Sequence, residues 1–118
     1  MPSTVWVPNK GAHDYSAAEV YGKLSFLTEG FVNRMSVGAI ARSLAEKMQS
    51  SQPNDFLLIT SLPILNLLAG TILAQKHGTL RILLFQDGRY VLREVDIAAM
   101  LEIGELKNDN PDRSTSPF

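Results

Sequence analysis

The chain contains no cysteine, one tryptophan and two histidines, and its 11 Lys and Arg stand against 12 Asp and Glu for a net charge of -1. Each scarcity excludes a class of function. Without thiols there is no disulfide, no thiolate nucleophile and no cysteine-held metal, which fits a reducing, cytoplasmic setting. Near neutrality leaves no global basic field for double-stranded nucleic acid or an anionic membrane, so a nucleotide-type ligand must be held locally. The longest apolar region, residues 62–74, is interrupted by Asn66, Gly70 and Thr71. It is shorter than the roughly 20 residues of a membrane span, so a buried helix and no membrane partner are expected. Residues 1–10 carry no signal-peptide core. Also absent are Gly-x-x-x-x-Gly-Lys-Ser/Thr, Gly-x-Gly-x-x-Gly and Gly-x-Ser-x-Gly, the signatures of phosphate loops, dinucleotide folds and serine hydrolases. His77 is accounted for by a helix C-terminus, and His13 has no partners at metal-ligand spacing, so neither metal nor cofactor is expected.

What is present reads as one α/β domain. A chain of 118 residues, 45% hydrophobic, suits one core and is short for two. Residues 4–7 are β-branched and aromatic and precede a Pro-Asn turn, a first strand. Ser16 and Glu19 have capping-box spacing and predict a short helix to Gly22. Residues 24–28 predict a second strand. Val37, Ile40, Ala41, Leu44 and Met48 share one face at the 3.6-residue period behind Ser36, the clearest helix in the chain. Residues 56–60 form a continuous apolar strand of the doubly covered kind. Ser61 and Pro63 then start, and Lys76-His77-Gly78 ends, a helix that is apolar nearly all round, with Gly70 read as a point of close backbone approach. Residues 80–85 and 90–95 flank Asp87-Gly88, which predicts a hairpin pairing Gln86 with Arg89, Phe85 with Tyr90 and Arg81 with Glu94. Asp96 caps a last helix through Ile103, and residues 105–118 read as a disordered polar tail after a domain of 1–104. Alternating strands and helices predict a small three-layer Rossmann-like domain, mainly parallel, with a C-terminal antiparallel hairpin. Strand order does not follow.

In such a sheet ligands bind beyond the carboxyl ends of the strands, where loops converge and helix N-termini expose N–H groups. If the first three strands are parallel, three loops meet there. The first, residues 9–15, carries Asn9, Lys10, His13, Asp14 and Tyr15, the second Thr28, Glu29, Gly30, Asn33 and Arg34, and the third Thr60 and Ser61. Lys10, Arg34 and the helix start at Ser61 are cationic or donor-rich and suit an anion, and Glu29 suits a ribose or amine. His13 beside Asp14 has the composition of a proton-transfer pair. The bland readings stand alongside: Asp14 as an Asx turn or helix cap, Glu29-Gly30 as a turn, Ser61 as an N-cap, and Trp6 and Phe26 as core.

The segments "FLTEGFVNRMS" and, later, "LLITSLPILNLLAG" resemble the order of segments in small viral ring nucleases that degrade cyclic oligoadenylate signals. The resemblance covers less than half of the chain. The strand-end Gly-His pair that carries that family's catalytic histidine is replaced by Thr60-Ser61, and residues 1–22 have no counterpart. It implies binding of a nucleotide signal. Three functions are therefore expected: a binding domain for a nucleotide-like or other anionic ligand, an assembly or inhibitor module that forms a homo-oligomer through the apolar helix 62–77, or an enzyme on a nucleotide signal with His13 as acid or base.

Overall fold

The computed structural model describes residues 2–108, with side chains through Gly104. Its order is β1 (Thr4–Val7), a 3-10 helix (Ser16–Val20), β2 (Lys23–Phe26), α1 (Val37–Lys47), β3 (Phe56–Leu58), α2 (Pro63–His77), β4 (Thr79–Gln86), β5 (Arg89–Asp96) and α3 (Ile97–Asn108). The five strands form one sheet in the order β2-β1-β3-β4-β5. The pairs β1–β2, β1–β3 and β3–β4 are parallel, and β4–β5 is antiparallel. This is the mainly parallel α/β sheet with a C-terminal hairpin that the alternation of elements implies.

Side-chain alternation divides the strands between two cores. Trp6 and Leu57 face α1 and α2, where they meet Leu44, Met48, Leu65 and Leu73. Val5, Val7, Leu58 and Leu83 face the other way, onto Ala18 of the 3-10 helix and the rings of Tyr15, Tyr21 and Tyr90. Each fully buried Leu or Val contributes about 1.5–3 kcal/mol by leaving water. The second face is thus covered by a five-residue 3-10 helix and tyrosines rather than by α-helices.

The hairpin register is the expected one: Gln86 pairs with Arg89, Phe85 with Tyr90 and Arg81 with Glu94. Asp87 (φ 52) and Gly88 (φ 83) are both left-handed, as a type I′ turn requires. The Phe85 and Tyr90 rings lie 5.1 Å apart and Arg81 Nε is 3.6 Å from Glu94 Oε1.

Local starts and stops differ from the sequence reading in several places. Strand β2 ends at Phe26 and β3 at Leu58, short of Thr28 and Thr60. At the first helix the capping box does not form. Asp14 Oδ1 accepts the Ser16 N–H at 2.9 Å, an Asx turn that gives a 3-10 helix with Tyr15 as N-cap. The N-cap of α2 is Leu62, with no side-chain cap, so Ser61 lies one residue before it. Gly70 packs on side chains, its added Cβ falling 3.6 Å from Leu57 Cδ2, and not on backbone. The close backbone approach is at Gly22, where a Cβ would come 2.3 Å from the Ser3 carbonyl oxygen. Asp96 does cap α3, accepting the Ala99 N–H at 3.1 Å, but the helix runs past Ile103 to Asn108, so the first four residues of the expected tail are helical. The rest of that tail, 109–118, lies outside the described residues. No helix among the described residues is long and apolar enough to cross a membrane.

Candidate functional site

Because β1, β2, β3 and β4 run parallel, the loops after β1, β2 and β3 and the β4–β5 turn lie at one edge of the sheet. The chain leaves β1 toward β2 and leaves β3 toward β4, in opposite directions across the sheet. The connections also lie on opposite faces, the 3-10 helix on one and α2 on the other. A crevice is expected where adjacent connections diverge in this way. Two cavities meet at the loop after β1, a cleft at this edge and a groove that runs from it along β2 to the strand's amino end at Lys23. An open groove of about 670 Å³ is lined by Lys10, His13, Asp14, Tyr15, Glu19, Lys23 and Phe26 among others. A smaller cleft of about 240 Å³ is lined by His13, Tyr15, Ile59, Thr60, Ser61, Phe85 and Tyr90. His13 and Tyr15 belong to both.

The aromatic groups are packed in a chain. His13 is 4.8 Å from Tyr15 and 6.2 Å, edge-on, from Phe85, and Tyr15 is 6.3 Å from Phe26. The Lys10 ammonium lies 5.3 Å from the Phe26 ring centre, within cation–π range. Burial raises the Tyr15 hydroxyl above the usual phenol range; it does the same for Tyr90, helped by the nearby charges of Tyr15 and Asp14. Both phenols therefore stay protonated donors at neutral pH. Asp14 is exposed and is held below the usual carboxylate range, first by the Ser16 backbone N–H, then by the Ser16 hydroxyl and the charge of His13. Its Oδ1 is engaged with Ser16 and not with the imidazole, which favours the Asx-turn reading over a His-Asp pair.

Of the residues singled out in the sequence, Lys10, His13, Asp14 and Tyr15 line the groove, and His13, Tyr15, Thr60 and Ser61 line the cleft. The others line neither. Thr28 Oγ1 lies 2.7 Å from both the Pro8 carbonyl and Asn9 Oδ1; with one proton it donates to one of them at a time. The Lys10 N–H donates to the Thr28 carbonyl and Gly30 N–H to the Lys10 carbonyl, so the Lys10–Glu29 bridge extends the β1–β2 pairing past the strands. Gly30 (φ 66) makes the turn that follows. Asn33 Oδ1 accepts the Met35 N–H, an Asx turn before α1, and Arg34 is exposed. Thr60 is held by Asn66 of α2, whose Oδ1 accepts the Thr60 N–H at 3.0 Å while its Nδ2 donates to the Thr60 carbonyl at 2.8 Å. The Asn66 amide thus replaces the next strand partner.

Tyr15 closes the first candidate loop and lines both cavities, whereas Glu19, Lys23, Phe26, Phe85 and Tyr90 were not candidates, yet they line one or the other. Phe85 and Tyr90 were legible as a cross-strand pair, but only strand order shows that their hairpin tip reaches this edge. Glu19 and Lys23 had no signal, because nothing local tells that the 3-10 helix folds over β2. No group of three or more His, Asp or Glu that could hold a metal occurs among the described residues.

The chain is thus a small protein built on a five-stranded mixed sheet, with a cleft at the carboxyl edge of its parallel strands and a groove along β2. It belongs to the family described as Phage Pam3 gp32-like protein, which matches residues 3–99. No curated protein and no solved structure matches, so the likeness to ring nucleases stands on its two segments alone.

Proposed function

We propose that the chain is a binding protein for a small anionic, nucleotide-like ligand, taken at the carboxyl edge of its sheet. The observation that carries this is the meeting of groove and cleft at His13 and Tyr15, with Lys10 beside them on the groove side, where Lys23, Asp14 and Glu19 also line the wall, and the rings of Phe85 and Tyr90 on the cleft side. A planar ring fits the aromatic cleft beside Tyr15 and Phe85, and an anionic group fits beside Lys10 at the same edge. The groove's volume falls within the range of about 300–1,000 Å³ usual for small-ligand sites. We read the sheet as a small Rossmann-like unit whose third layer has shrunk to the 3-10 helix, in a reducing, cytoplasmic setting inferred from the lack of cysteine.

The test is a thermal-shift and calorimetric titration with nucleoside mono- and diphosphates, cyclic nucleotides and inorganic phosphate. At 100 times its Kd a true ligand adds about 2.7 kcal/mol of stability. Lys10→Ala and His13→Ala are expected to weaken binding at unchanged melting temperature, since both side chains are exposed. A panel without any shift on folded protein overturns the proposal. The same His13→Ala variant separates binding from chemistry, because loss of a general acid or base removes about 10²- to 10⁴-fold of any turnover.

A further inference from the structure

The last described element is apolar and uncovered. In α3, Ala98 through Gly104 are all exposed, with Met100, Leu101 and Ile103 at 51%, 59% and 56%. A helix of 12 residues is marginal in water without tertiary cover, and Gly104 within it costs about another 1 kcal/mol against Ala.

A second apolar surface on the same chain is partly open, with Ile82, Val91 and Val95 half-buried and Leu84 exposed. Leu57 faces α1 and α2 and pairs with Ile82. By alternation Leu80, Ile82 and Leu84 share that face with their β5 partners Val95, Arg93 and Val91. Leu84 is 42% exposed and Arg93 is exposed. The strip is bordered by α2, where Leu67, 64% exposed, lies one turn from Gly70, whose added Cβ would touch Leu80.

We infer that this strip is the seat of α3 from a second copy of the chain, exchanged reciprocally across a two-fold axis. The chain's own α3 cannot take the seat, because β5 ends at Asp96 and α3 begins at Ile97 with no loop between them. Strand-to-helix reversals onto a sheet use about 2–6 residues. The start is further pinned by Ile97 N–H on the Gly78 carbonyl and by the Asp96 cap, and residues 98–104 that follow are all exposed. The dimensions and charges suit a second copy. The helix is about 18 Å long, the eight-residue strands of the seat about 27 Å, and the exposed carboxylate of Glu102 on α3 is matched by the exposed guanidinium of Arg93 on the strip. Exchange makes the contact isologous, so it closes at two copies.

Sedimentation velocity on the full chain at low to high micromolar concentration is expected to give twice the monomer mass. The double variant Leu101→Glu, Ile103→Glu is expected to be monomeric with an unchanged near-ultraviolet spectrum, both residues being exposed within one copy. Arg93→Glu is expected to weaken the dimer at least 10-fold, and adding Glu102→Arg to restore it. Because the chain has no cysteine, mixing Arg93→Cys protein with Glu102→Cys protein under oxidation reports the contact between chains directly, as a disulfide-linked heterodimer. A monomer at every concentration, a dimer that survives the helix variant, or no heterodisulfide overturns the inference. None of these readouts depends on a small ligand.

Discussion

At the scale of the residue, the group with the largest structural consequence is one that sequence reading passed over. Asp55 is 5% exposed and accepts three hydrogen bonds, from the Thr4 N–H, the Trp6 indole N–H and the Gln52 N–H, at 2.8 to 3.0 Å. A buried charge is tolerable when donors surround it in this way. Asp55→Ala leaves two backbone donors and the indole without a partner, and each such loss costs about 1–3 kcal/mol. We expect a loss of about 3 kcal/mol or more, read by urea unfolding followed through Trp6, the single tryptophan; a change under 1 kcal/mol would show that water replaces the carboxylate. The same residue shows why legibility failed here. An Asp after Pro53-Asn54 looks like any turn residue, and only the parallel pairing of β1 with β3 brings it under Thr4 and Trp6.

At the scale of the element, the cleft depends on how β3 hands over to α2. Strand β3 has three residues, and beyond it Thr60 keeps an extended partner only through the Asn66 amide. Asn66→Ala frees the Thr60 N–H and carbonyl, an expected loss of about 1–2 kcal/mol. If the cleft takes a ligand ring, the loss extends to affinity. Asn66→Asp retains the acceptor for the Thr60 N–H but sets a carboxylate against the Thr60 carbonyl, so it is expected to be no better than Ala in thermal unfolding. Equal stability of Asn66→Asp and the natural chain would refute this account. In the sequence Asn66 registered only as an interruption of an apolar run.

At the scale of the whole molecule, the sheet has two edges and both carry features that hinder further strands. Strand β2 is four residues long, and on β5 the Tyr90 carbonyl accepts from the Tyr21 hydroxyl at 2.9 Å and the Leu92 carbonyl from Arg93 Nη1 at 2.8 Å. Short or capped edges discourage strand addition, in keeping with the association through α3 inferred above. Stability against pH also belongs to this scale. Tyr15 and Tyr90 have hydroxyls raised above the ordinary value near 10. The folded state therefore holds protons that the unfolded chain gives up first, and stability falls as pH rises above 10 toward the folded values. Phenolate absorbance is expected to rise in a late phase coincident with loss of the fold; phenols that all ionise at the ordinary value in a folded chain would contradict it.

Period, caps and turns are properties of neighbours in the chain, and so the α/β order, the face of α1, the type I′ hairpin and its register were determined by the sequence alone. Asp87-Gly88 accepts positive φ whatever surrounds it, and a two-residue turn permits one register. Strand order, the covering of one face by a 3-10 helix, the meeting of His13 with Phe85 and of Lys10 with Phe26, and the exposure of α3 were decided only by tertiary structure. Each depends on which distant strands pair. The local sequence carries the apolar side chains that make pairing worthwhile but not the identity of the partner.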